Sequence, residues 1–157
     1  MATKDELREL SKKRIKTARS LICCDDWEMS AYMMAMALEL ALKAASCKSL
    51  RLQSYPDATS DNKYFKTHNF DRLLLVSGMT DIFSVSIPMF DQNAFENWSI
   101  FTKAFLFNGK DDRDYVAMRY DSRMQAIFNE QKAKELFSSL YNDEHSIIKT
   151  MIRYRRW

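Results

Sequence analysis

Residues 25–47 read DDWEMSAYMMAMALELALKAASC, and this stretch decides the fold. It holds no β-branched residue and is dominated by Ala, Met and Leu, which are strong helix formers, so it predicts one long helix and not a strand. Asp25 is placed as the N-cap, with its carboxylate accepting from the backbone near Glu28 and Glu28 reaching back to complete a capping box. Asp26 and Glu28 suit the positive end of the helix dipole. Such a helix spans roughly 33 Å at about 1.5 Å per residue. From Ala31 to Leu38 every residue is apolar or Tyr. The first half is therefore apolar on all sides, which predicts burial between several neighbours. The run is too short to cross a membrane, which takes about 18–20 apolar residues, and Glu39 and Lys43 interrupt it. These two stand four apart with Glu first, the favourable orientation for a helical pair. One reading is a partly exposed ion pair. The other is a polar pair aimed at a ligand groove or a subunit interface.

The rest of the chain reads as packing partners of this helix. A chain of 157 residues suits one domain with a real core. Two Gly and two Pro are too few for a fold of tight β-turns and favour helices with short connections. The expected class is all-α, a compact up-and-down bundle of four to six helices. A net charge of +3 permits a basic patch without demanding nucleic acid. Cys23, Cys24 and Cys47 make an odd set with an adjacent pair, which does not suggest a disulfide framework. With an N-terminus charged from Lys4 onward and no apolar signal segment, this points to a reducing cytoplasm. His68 and His145 are the only histidines, so no zinc-spaced Cys/His cluster exists, and neither metal nor cofactor is expected.

In chain order, Thr3 and Glu6 form a capping box ahead of a first helix to about Ile22. Leu7, Leu10, Ala18 and Leu21 give its apolar stripe, with Ile15 at the border. Arg8, Lys12, Lys16 and Arg19 form a basic row that reads either as a solvated face or as a phosphate-contacting one. Lys48 to Thr67 is a polar loop. A short helix from His68 or Asn69 to Ser77 stops at Gly78, with Phe70, Leu73 and Leu74 facing the core. One helical turn opens at Thr80 or Asp81 and Pro88 ends it. Asp91 caps a helix to Phe107 whose aromatic stripe, Phe95, Trp98, Phe101 and Phe105, reads as core in preference to a base-stacking surface. Asn108-Gly109 terminates that helix, and a charged connection runs from Lys110 to Asp121. Ser122, with Gln125, caps a further helix carrying Met124, Ile127, Phe128, Leu136, Phe137 and Leu140, broken at Asn142-Asp143. A last helix holds Ile147, Ile148, Met151 and Ile152. It ends in RYRRW, a tail that interleaves basic and aromatic groups as nucleic-acid binders do, or docks Trp157 on the core.

Three pieces together carry a resemblance: Asp26-Trp27-Glu28 with the Ala/Met/Leu helix after it, Thr67-His68-Asn69-Phe70-Asp71-Arg72-Leu73-Leu74, and Arg119-Tyr120-Asp121 ahead of a late helix. In order and spacing, from Asp25 to about Tyr141, they resemble the HEPN family (higher eukaryote and prokaryote nucleotide-binding domain). The resemblance implies a four- or five-helix bundle and a homodimer. Many members are metal-independent ribonucleases with an Arg-x4-6-His motif, where His handles a ribose proton and Arg stabilises phosphate charge. This chain lacks that motif. Positions 61–63 ahead of His68 are Asp61, Asn62 and Lys63, and positions 138–140 ahead of His145 are Ser138, Ser139 and Leu140. Lys63 is the nearest imitation, and Lys does not replace a bidentate Arg.

Three functions follow as expectations. The first is a non-catalytic nucleotide- or RNA-binding homodimer of HEPN-like fold, with Glu39, Lys43, His68, Arg72 and Arg119 as contacts. Arg119 leads that set, and its plainer role is a buried salt bridge with Asp121, Asp71 or Glu39. The second is an interaction or scaffold module beside another protein, such as a nucleotidyltransferase, or one half of a toxin–antitoxin-like pair. It should show a large apolar patch and no polar pocket. The third is a divergent metal-independent ribonuclease in which His68 or His145 faces an Arg.

Overall fold

The computed structural model describes residues 1–56, 65–84, 91–106 and 115–157. Among these the protein is all-α, a helical bundle without a β-strand. No described helix is long and apolar enough to cross a membrane. Pro88, Asn108-Gly109, Lys63 and the first part of the charged connection lie outside the described residues.

Helix α1 (Lys4–Cys23) opens with the expected capping box: the Glu6 N–H donates to Thr3 Oγ1 at 3.3 Å, and the Thr3 N–H donates to the Glu6 carboxylate at 2.7 Å. Its buried stripe is Leu7, Ser11, Ile15 and Ala18. Leu10, expected inside, stands 38% exposed. Ser11 takes its place because its Oγ donates to the Ala37 carbonyl of the next helix at 2.8 Å, and a buried hydroxyl is tolerated when it is hydrogen-bonded. Ser30 repeats the device from the other side, donating to the Ala18 carbonyl at 2.9 Å.

The end of α1 moves the expected cap. The N–H groups of Cys24, Asp25 and Asp26 all donate to carbonyls of the last α1 turn, and Asp25 adopts a left-handed φ of 59°. Asp25 therefore completes α1. Asp26 caps α2 (Trp27–Ser49), accepting from the Met29 N–H. The two helices form an antiparallel hairpin. Ala31, Ala35, Ala37, Ala41 and Ala44 of α2 are fully buried, and such small side chains leave room for neighbouring helices to pack against it. Burial all round the first half of α2, as the sequence predicts, is real: Tyr32, Met34 and Leu38 are buried as well.

Helix α3 (Phe70–Ser77) is capped by Asn69 and ended by Gly78 at φ 71°. A Cβ at Gly78 would lie 2.8 Å from Ser49 Oγ, so α2 and α3 meet at their C-terminal ends. The single turn α4 (Thr80–Phe83) and the Asp91-capped α5 (Gln92–Lys103) follow. Trp98 and Phe101 of α5, with Phe105 just beyond it, lie in the core, as read, whereas Phe95 of the same stripe is only partly buried. Phe70, Phe101, Phe105, Tyr115 and Phe128 form a chain of ring contacts beneath α3.

One expected helix is divided. A 3-10 turn, Tyr115–Tyr120, leads to α6 (Ser122–Gln125), whose cap is Asp121 and not Ser122. The chain then turns to bury Phe128, leaving Ile127 48% exposed. Asn129 caps a new helix, α7 (Glu130–Phe137), which winds out through a π turn at Ser138–Asn142. Helix α8 (Ile147–Arg153) closes the bundle, and its tail is docked, not free. Trp157 packs on the core. Arg156 donates to the Gly78 carbonyl at 3.0 Å and pairs with Asp81 at 2.8 Å. Lys48 donates to the Arg155 carbonyl, and Arg8 to that of Trp157.

Candidate functional site

Glu39 is the one carboxylate in the buried core of α2, 6% exposed. Three donors converge on it. Lys43 Nζ, one turn later, lies 2.5 Å from Oε1. His68 Nδ1 lies 2.8 Å from Oε2, and the Tyr115 hydroxyl donates to the same oxygen at 2.6 Å. Because an ionised carboxylate only accepts, His68 Nδ1 carries a proton in this contact. Burial pushes the Glu39 carboxyl up; the His68 hydrogen bond, the Lys43 ammonium and the Tyr115 hydroxyl outweigh it and hold the group below its ordinary value. The carboxylate thus stays charged and fixes two basic side chains.

Those side chains face a cleft of about 440 Å³, lined by Lys43, Tyr55, Phe65, Lys66 and His68 with Leu40 at its floor. The chain reaches this arrangement through the N-terminus. The Tyr55 N–H donates to the Ala2 carbonyl at 2.9 Å. This seats Tyr55 in a small apolar cluster with Leu7, Ala44 and Cys47. The Tyr55 hydroxyl donates to the Phe65 carbonyl at 3.1 Å, and the two rings meet edge to face at 5.5 Å. Lys43 Nζ lies 5.2 Å from the Tyr55 ring centroid, a cation–π contact. Burial first, then the Glu39 charge, raises the Tyr55 hydroxyl's pKa, so it remains a neutral donor. The cleft thus combines an aromatic wall with cationic groups at its mouth.

Of the five residues singled out in the sequence, Glu39, Lys43 and His68 come together. The Glu39–Lys43 pair is the partly exposed ion pair that its spacing suggests, with Glu39 buried and Lys43 19% exposed, and its Lys43 end lines the cleft. His68 is the other basic partner of Glu39, with 42% of its side chain exposed. Arg72 sits on the exposed face of α3 and does not line the cleft. Arg119 is exposed, its guanidinium carbon 5.0 Å from the Tyr32 ring centroid. The expected buried salt bridge is not there: Asp121 pairs with Arg123 and Glu39 with Lys43 and His68. Tyr55 and Tyr115, which the sequence reading did not single out, complete the site.

The other expected basic surfaces are largely engaged. Arg8 pairs with Asp5, Lys12 with Glu9, and Arg19 lies over Phe137 and Tyr141. A wider groove of about 870 Å³ runs along α1 past Leu10, Lys12, Lys13 and Lys16, but it is shallow and lined by exposed side chains. His145 does meet an Arg: Arg153 Nη1 lies 3.1 Å from its Nδ1. Arginine can only donate, so Nδ1 is the acceptor in this contact. No group of three or more potential metal ligands occurs among the described residues.

The fold and site define an all-α protein with a carboxylate-centred basic hub beside an aromatic cleft. No family model, curated protein or solved structure matches the chain.

Proposed function

We propose that the protein is a non-catalytic nucleotide- or RNA-binding homodimer of HEPN-like fold, and that its ligand occupies the cleft at Lys43 and His68. The observation that carries this reading is the pair of basic side chains anchored on one buried carboxylate at the mouth of an aromatic-walled cleft. Phosphate oxygens suit Lys43, His68 and Lys66, which donate without needing a metal. A base suits the rings of Tyr55 and Phe65, since stacking tolerates any base. The interaction-module reading expected no polar pocket, and this cleft weighs against it.

The homodimer has a candidate face. Met29, Met33, Met36 and Leu40 recur at three- and four-residue steps on α2 and are all incompletely buried. Met-rich surfaces adapt readily to a partner.

Catalysis is the second reading, favoured by the orientation of His68. With Nδ1–H held by the carboxylate, the imidazolium donates from Nε2, as phosphate binding needs, whereas the neutral ring accepts there, the arrangement a general base uses. One experiment separates the two. Purified protein is titrated with labelled single-stranded RNA and with mononucleotides at low and moderate salt, and the RNA is then run for cleavage. Salt-sensitive binding without cleavage, weakened by Lys43→Ala and His68→Ala, supports the proposal. Cleavage lost in His68→Ala moves the protein to the second reading. Absence of binding overturns both.

A further inference from the structure

We propose that the Lys43–His68 cleft binds the terminal phosphomonoester of a nucleotide in preference to the internal phosphodiesters of a strand. This rests on the nucleotide-binding reading of the same cleft.

Charge is the first ground. Three basic side chains, Lys43, Lys66 and His68, line the cleft. Glu39 takes Lys43 on one oxygen and His68 on the other. It stands behind the lining, 6% exposed, so a phosphate meets the donors and not the carboxylate. Lys66 is exposed and in no ion pair among the described residues, so its charge is uncommitted. With His68 as the imidazolium, the three cations and Glu39 leave two net positive charges. A phosphodiester carries a single negative charge and balances half of that. A phosphomonoester carries about −1.5 to −2 at neutral pH and balances nearly all of it. It also presents three terminal oxygens to the three donors, where a diester keeps two.

Size is the second ground. A cleft of about 440 Å³ is small even for a small-molecule site and holds one nucleotide. Strand binders use grooves that track several nucleotides. Phe65 is the less buried of the two aromatic walls, Tyr55 being 7% exposed, so a single base has a ring to stack on.

The exit is the third ground. Ala2 lines both this cleft and the shallow groove along α1. A strand leaving over Ala2 meets Glu6 and then Glu9 before it reaches Lys12, Lys13 and Lys16. Hydrogen bonds from the Thr3 N–H and hydroxyl hold the Glu6 carboxyl below its ordinary value, so it stays charged. Two carboxylates on that path repel a second phosphate. Lys43 stands three residues past Leu40, where the α2 face assigned to the homodimer ends. The phosphate donors and the dimer face therefore adjoin without sharing a residue.

The test is calorimetric titration of the full chain with adenosine 5′-monophosphate, adenosine 3′,5′-cyclic monophosphate and a tetraribonucleotide bearing a 5′-phosphate. The cyclic compound keeps the base and the size but has only a diester charge. Wild type should bind the monophosphate at least about tenfold more tightly than the cyclic compound. Lys66→Gln removes an exposed charge, so the melting temperature should hold while that gap narrows. A tetramer weaker than the monophosphate upholds the proposal with a free nucleotide as the source; one that matches it upholds the proposal with a strand end as the source. A cyclic compound bound as tightly as the monophosphate overturns the proposal and leaves the nucleotide-binding reading standing. So does a gap that Lys66→Gln leaves unchanged, or a tetramer bound where the monophosphate is not. Binding of none of the three overturns both.

Discussion

Replacing Glu39 by Gln keeps the shape of the side chain and removes its charge. Three donors, from Lys43, His68 and Tyr115, then face one acceptor oxygen and one amide that is itself a donor. Removing one partner of a fully buried ion pair costs about 3–5 kcal/mol. Here Lys43 and His68 keep 19% and 42% of their side chains exposed and recover part of their hydration. The expected loss is therefore smaller, about 2–3 kcal/mol, or about 5–10 °C in melting temperature for a chain of this size. The pH dependence carries the sharper signature. Glu39 has a folded pKa below its ordinary 4.5, so its contribution is fully present above that value and is lost as pH falls through the folded one. Asp91, also held low, contributes in the same acid range, its burial being outweighed by the Ala94 N–H and the Tyr154 hydroxyl. Only the difference between wild type and Glu39→Gln isolates Glu39. Urea unfolding of both proteins at about pH 7 and about pH 3 measures it, and the gap should be widest at neutral pH and nearly closed in acid. Equal stability at neutral pH, or a gap that does not change with pH, would refute the account of Glu39 as a charged hub.

Three further outcomes are expected. Gly78→Ala should lose about 1–2 kcal/mol, because Ala resists a left-handed φ and its Cβ would press on Ser49 Oγ at 2.8 Å. Adding Ser49→Ala should restore only the steric part in chemical denaturation. Arg156→Ala, which removes a half-exposed pair with Asp81 and a bond to the Gly78 carbonyl, should cost about 1 kcal/mol and speed hydrogen exchange at residues 154–157. If the proposed homodimer forms through α2, light scattering should give a dimeric mass for wild type and for Leu75→Glu, at a 65% exposed position on α3, and a monomeric one for Met36→Glu.

What was legible in the sequence is what neighbouring residues decide. Thr3 and Glu6, Gly78 and Asp91 mark helix ends through contacts within a turn, and each acts where it was placed. Asp25 was misassigned because the choice between two adjacent aspartates depends on how α1 closes, and α1 closes by absorbing Asp25. The unbroken helix after Ser122 fails for a similar reason. Asn129 is a second capping residue inside an apolar pattern, and burying Phe128 outweighs helical continuity. At the site, Glu39 and Lys43 were visible as an i,i+4 pair, but His68 and Tyr115 reach Glu39 across 29 and 76 residues of chain. No periodicity encodes such distances. Ser11 was passed over for the same cause, since its acceptor is a carbonyl on another helix.

The docked tail has a consequence for the order in which the protein assembles. The α1–α2 hairpin joins segments close in sequence, and such contacts form early. Arg8 and Trp157 are separated by 149 residues, Lys48 and Arg155 by 107, and Arg156 and Asp81 by 75. These contacts fasten the last described turn onto the first helix, so the chain is closed on itself like a belt with its buckle at α8. Loop closure grows costlier only slowly with length, by about 0.6 kcal/mol per doubling. The buckle is therefore cheap to hold once the bundle stands, yet it cannot engage until nearly everything else is in place. Hydrogen exchange should accordingly find residues 154–157 opening before the α1–α2 hairpin, and a tail that opens only with the hairpin would refute this order.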